Sequence, residues 1–259
     1  SNLGAEVTLQ SSDLSAGSIE IAIIDLDGSI TNPLTAHSSY GQGKVFNLRA
    51  IITDLAGNQR IGSNSTTTLT IDTVLPTAGL SYKDQATNAV VTRVKQGTVV
   101  VITATLDEAM SASPDLKITG TAAGSATDVP LAAMTADSVT SYSYEWTVGS
   151  GDGVITFGLS IGTDIAGNLI TATPSAGATI IVDNTPPTNF TTGSVVAVGG
   201  IVETGYWNDS NQSLKVTVPI DNDDSLTGGE IQIQGSIDGG TYQDLGSATA
   251  ISSINSNAQ

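Results

Sequence analysis

The chain has 259 residues and no cysteine, which excludes disulfides, thiolate metal sites and cysteine nucleophiles. Eight Lys and Arg stand against 25 Asp and Glu, a formal charge of −17. That balance argues against nucleic acid and anionic membrane surfaces as partners, because both are held by basic patches, and it suits a protein that takes up cations. No run of about 18 apolar residues is present, so no membrane-spanning helix is expected.

In chain order, Val7-Thr8-Leu9 and Ile19 to Ile23 alternate as half-buried strands, and Asp25-Leu26-Asp27-Gly28 reads as a turn. Residues 31–44 are polar, with Pro33, His37, Gly41 and Gly43, and read as a loop. Phe46, Leu48, Ala50 and Ile52 fall on one face of a strand that enters Asp54. Beyond Pro76, Val100, Ile102, Ala104 and Leu106 share a face, and Asp107-Glu108 leaves that strand. Tyr142, Tyr144, Trp146 and Val148 alternate on a strand expected to bury most of the aromatic area. Ile155, Phe157, Leu159 and Ile161 alternate next, with Gly162 at an expected bulge. Leu214 to Pro219 and Glu230 to Gln234 follow as strands, and Ser236 to Gly240 as a tight turn. No segment sustains a 3.6-residue period, so the expected class is all-β.

One stretch occurs twice. Asp54-Leu55-Ala56-Gly57-Asn58 leads to Ile71-Asp72-Thr73-Val74-Leu75-Pro76-Thr77, and Asp164-Ile165-Ala166-Gly167-Asn168 leads to Val182-Asp183-Asn184-Thr185-Pro186-Pro187-Thr188. The leading aspartates are 110 residues apart and the trailing ones 111. A kept spacing marks a unit used repeatedly. The first half reads as a hairpin tip, with Asp opening a turn, Gly supplying φ > 0 and Asn a left-handed position. The second half reads as a strand end stiffened by proline, which cannot donate to a ladder. These motifs divide the chain into residues 1–74, 75–184 and 185–259. The first unit is shorter than the repeat. The third has no copy of the Asp-x-Ala-Gly-Asn turn, so its last two strands are expected to be absent or divergent.

The two motifs together resemble the tandem bacterial immunoglobulin-like repeats of large surface adhesins and surface-layer proteins. The resemblance covers most of residues 75–184, the C-terminal half of the first unit and only the entry segment of the third. It implies tandem immunoglobulin-like β-sandwiches, export to the cell surface and calcium at the domain junctions. Carried over by position, the junction ligands are Asp54 with Asp72 and Asp164 with Asp183. Asp107 and Glu108 lie at a strand end that faces either the first junction or the opposite one.

Ligand chemistry is compatible with that implication, since Ca²⁺ takes six to eight oxygens from carboxylates, carbonyls and water. The plainer reading is that the four aspartates cap turns and strand ends. Asp221-Asn222-Asp223-Asp224 does not complete an EF-hand loop, because Leu226 stands where the sharp-turn glycine is needed, and it reads as a solvated turn. No catalytic constellation is found: His37 is the only histidine, and there is no nucleophile elbow or phosphate loop. The expected role is therefore non-enzymatic, a calcium-stiffened extracellular stalk whose partners are neighbouring domains. The alternatives are a glycan- or protein-binding module, with adjacent Tyr206 and Trp207 as contact candidates, and an accessory region of a secreted enzyme.

Overall fold

The computed structural model describes residues 42–120, 129–254 and 257–258 of the protein. The strands expected at residues 7–9 and 19–23, the turn at Asp25 and the loop histidine His37 lie outside the described residues. In what is described the protein is essentially all-β, with one single-turn 3-10 helix at Asp224–Leu226. No described helix is long and apolar enough to cross a membrane.

The first described segment is one long antiparallel hairpin. Strands β1 (Val45–Phe46) and β2 (Ile51–Thr53) run out, and β3 (Gln59–Ile61) and β4 (Leu69–Thr70) run back. Val45 faces Thr70 at the open end and Thr53 faces Gln59 at the tip. Bonds from Ser65 N to Leu48 O (2.6 Å) and Gly62 N to Ala50 O (2.9 Å) continue the ladder between them. The expected buried face is not formed here: Ala50 and Ile52 are exposed, because the described part of this segment has no second layer facing it.

Residues 78–182 hold the core. Strands β5 (Ala78–Asp84), β6 (Arg93–Val94), β7 (Val99–Leu106), β8 (Met110–Ala112), β9 (Asp115–Gly120), β10 (Val129–Ala133), β11 (Thr135–Ser138), β12 (Ser141–Thr147), β13 (Gly153–Ser160), β14 (Thr163–Asp164) and β15 (Thr179–Val182) follow in order. They form a four-stranded sheet β11-β12-β7-β5, a five-stranded sheet β10-β9-β13-β15-β6 and the short ladder β14-β8. Period-2 alternation explains why the sheets pack. Val100, Ile102 and Ala104 on β7 point one way and are fully buried, as do Tyr142 and Trp146 on β12 and Ile155, Phe157 and Leu159 on β13. Phe157 bridges the two sheets, with its ring 5.0 Å from Tyr82 and edge-on to Trp146 at 5.8 Å.

The alternation on β13 stops after Leu159. Ile161 is exposed and holds φ of +69°, which β-branched residues rarely adopt. This turns the chain onto β8, where the register shifts between Thr163 and Asp164. Gly162 is buried there, and a Cβ on it would lie 2.8 Å from the Pro114 backbone. The irregularity expected at Gly162 is thus found at this corner.

The last described segment is made of two-stranded ladders. It contains β16 (Val195–Val198), β17 (Ser213–Val216), β18 (Val218–Pro219), β19 (Glu230–Ile231), β20 (Gln234–Gly235), β21 (Gln243–Asp244), β22 (Thr249–Ala250) and β23 (Asn257–Ala258). They pair as β16-β17, β18-β23, β19-β22 and β20-β21. The strand expected over Glu230 to Gln234 is thus split in two. The turn before Tyr242 forms as expected: Asp238 and Gly239 both have positive φ and Gly240 N bonds Ile237 O at 2.9 Å.

Because Phe157 is the contact that joins the two sheets, Phe157→Ala is expected to lower unfolding stability by about 3–5 kcal/mol, read from urea denaturation. The exposed Leu55→Ala, in the first hairpin tip, is expected to leave it within about 0.5 kcal/mol.

Candidate metal centre at the first seam

Three carboxylates from distant parts of the sequence meet between the first hairpin and the sheets that follow. Asp72, Glu108 and Asp164 each place one oxygen within 4.8 Å of the other two. Each is positioned by a different element. Asp72 follows β4 and is held by Gln42, whose Nε2 donates to Asp72 Oδ1 at 2.7 Å. The same Gln42 accepts from Thr73 N at 2.7 Å, which fixes the start of the linker.

Glu108 follows β7 and is placed by its neighbour. Asp107 accepts from Thr77 N and Thr77 Oγ1, both at 2.8 Å, and its own N–H returns to Thr77 O at 3.1 Å. This clamp docks the end of β7 on the start of β5. Both Asp107 oxygens accept from Thr77, and it is Glu108 that lies with Asp72 and Asp164.

Asp164 ends β14 and opens the turn that follows it. Its oxygens accept from Asn168 N at 2.9 Å and Asn168 Nδ2 at 2.8 Å, and Gly167 supplies φ of +95°. Asn168 was expected to take a left-handed backbone, but it does not; its side chain is what matters. Its amide also donates to Asp72 O at 3.2 Å, tying the turn to the linker of the preceding segment. Asp164 is 1% exposed, the buried acid of the group.

The electrostatics follow from this placement. Glu108 is pushed above its ordinary value by burial and then by the charges of Asp164, Asp72 and Asp107. Burial pushes Asp164 up as well, but the bonds from Asn168, Gly167 and Ala166 outweigh it, and the group ends below its ordinary value. The seam therefore concentrates negative charge. The one ion pair among the described residues, Arg93 with Asp183, lies elsewhere.

An oxygen-only donor set suits a hard cation such as Ca²⁺ or Mg²⁺ rather than Zn²⁺. Two oxygens on one Ca²⁺, each at 2.3–2.6 Å, lie no more than about 5 Å apart, so the spacing fits.

The expected pairings are corrected by the same geometry. Asp54 sits at the tip of its hairpin and Asp72 at the open end, separated by the length of the ladder. Asp54 spends its oxygens within the turn, on Ala56 N at 2.9 Å, Asn58 N at 2.8 Å and Asn58 Nδ2 at 2.8 Å. Asp164 and Asp183 are likewise at opposite ends of β13, since Gly153 at its start faces Val182. The trailing aspartate of one copy meets the leading aspartate of the next. A hairpin's tip and exit lie at opposite ends, so here the tip meets the exit of the preceding unit. The sequence carried no signal for Gln42.

The chain matches no protein-family model, no curated protein and no solved structure.

Asn168 ties the turn to the linker, whereas its repeat equivalent Asn58 is exposed and bonds only its own turn. Asn168→Ala is expected to cost about 1–3 kcal/mol in urea unfolding, and Asn58→Ala less than about 0.5 kcal/mol. Equal costs would deny the seam contact its role.

Proposed function

We propose that the protein is a non-enzymatic, calcium-stiffened stalk built from immunoglobulin-like units, a structural or adhesive segment of an exported cell-surface protein. The observation that carries this reading is the convergence of Asp72, Glu108 and Asp164, one carboxylate from the linker and two from the unit that follows it. Without a cation, three acidic groups repel across the seam and the linker swings. A bound cation draws both sides onto one centre, and the reach of the rod becomes defined. The two-sheet core of residues 78–182 and the repeated motifs support the immunoglobulin-like assignment of the units. Export and cell-surface placement rest on the resemblance alone.

Calcium at about 100 times its dissociation constant is expected to stabilise the chain by about 2.7 kcal/mol, seen in thermal melts with and without chelator. Small-angle scattering should show a narrower range of extensions in calcium. Glu108→Gln is expected to abolish the calcium-dependent gain while raising the melt in chelator, because it removes the acid that its neighbours oppose. A melt and scattering profile that ignore both calcium and chelator would sink the stalk mechanism.

A second reading, a glycan- or protein-binding module, is favoured by one feature. Tyr206 closes a turn through its N–H to Glu203 O at 3.2 Å, Trp207 follows it, and both are exposed, at 76% and 55%. Exposed neighbouring aromatics are stacking surfaces for sugar rings and for partner side chains. On this reading, soluble oligosaccharides quench tryptophan fluorescence in the native chain, and Trp207→Ala removes the response. A flat titration across a glycan panel favours the stalk.

A further inference from the structure

The second seam repeats the threonine–aspartate clamp of the first. Thr188 Oγ1 donates to Asp221 Oδ2 as Thr77 donates to Asp107, so the acidic run at Asp221 takes the place of Asp107-Glu108. The stretch read from sequence as a solvated turn is thus the clamp of the next unit, with Asp223 capping the short 3-10 turn through Ser225 N at 2.9 Å. Asp183 takes the place of Asp72. Asp152 holds the exit linker through Asn184 N and Thr185 Oγ1. Asp152, Asp183, Asp223 and Asp224 line one shallow cleft, and Arg93 lines it with them.

The partner of the trailing aspartate differs between the seams. Asp72 is held by the neutral amide of Gln42, and Asp183 by the guanidinium of Arg93, at 3.5 Å. The second seam thus has a fixed positive charge paired to its trailing aspartate, where the first has a neutral amide. Arg93 stands on β6, whose parallel pairing with β15 puts it beside Ile181, two residues before Asp183. A guanidinium cannot be deprotonated or chelated away.

We propose that the two seams are neutralised by different cations: the first by an exchangeable divalent ion, the second by Arg93, so that only the first responds to divalent-ion supply. This rests on the metal reading of the first seam. The rod then has one adjustable joint and one permanently set.

The test uses the absence of native cysteine. Spin labels are placed at the exposed pair Gln59→Cys and Thr105→Cys across the first seam, and at Thr147→Cys and Ser213→Cys across the second. Distance distributions are then recorded in calcium and in chelator. Chelator is expected to broaden the first pair and leave the second narrow. In chelator, Arg93→Gln is expected to remove the narrow peak of the second pair, Arg93→Lys to keep it, and Gln42→Arg to make the first pair insensitive to chelator. A first pair that ignores chelator in the unsubstituted background overturns the metal reading and the contrast with it. A second pair that broadens in chelator, or that ignores Arg93→Gln, overturns the assignment of Arg93 alone. Broadening with Arg93→Lys as with Arg93→Gln overturns the role of charge.

Discussion

Each Asp-x-Ala-Gly-Asn turn closes an antiparallel pair whose second strand leaves at the opposite end, and this constraint decides which carboxylates can meet. In the first hairpin the ladder from Val45–Thr70 to Thr53–Gln59 separates Asp54 from Asp72. The next turn, at Asp164, faces back toward the linker that leads into its own unit, and there it finds Asp72. A tandem array thus places acidic groups at a seam without any long-range signal in the sequence. The linker needs only to be short and stiff, and buried Pro76 and the Thr77–Asp107 clamp make it so.

Opposed effects meet at the seam. Burial and mutual repulsion raise the cost of ionising Glu108, while hydrogen bonds from the Asn168 side chain and the turn backbone keep Asp164 ionised. Asn168 does two jobs with one amide, stabilising the Asp164 carboxylate and gripping the Asp72 carbonyl. At the second seam the same frame is kept but a guanidinium stands among the acids.

The contrast between the segments is one of layers. Residues 78–182 bury a continuous core because β13 and β15 lie across from β5, β7 and β12, and Phe157 fills the space between them. In the last described segment the ladders remain two-stranded, and its buried apolar side chains are few, Ala197 and Val218 among them. Val195, Val196 and Leu214 are exposed there.

By itself the sequence determined the all-β class, the faces of β7, β12 and most of β13, and the glycine-dependent turns, because these depend on period-2 patterning and on local backbone limits. It also determined that Asp72, Glu108 and Asp164 belonged among the acids of interest. What only the tertiary structure decided was the grouping: Asp72 with a turn 92 residues later, Asp107 with Thr77, Asn168 acting through its side chain, and Gln42 and Arg93 as the different partners of equivalent aspartates. Those choices follow from where strands end in space and which side chains then lie within hydrogen-bond reach. Such distances are set by packing and register, which no local pattern encodes.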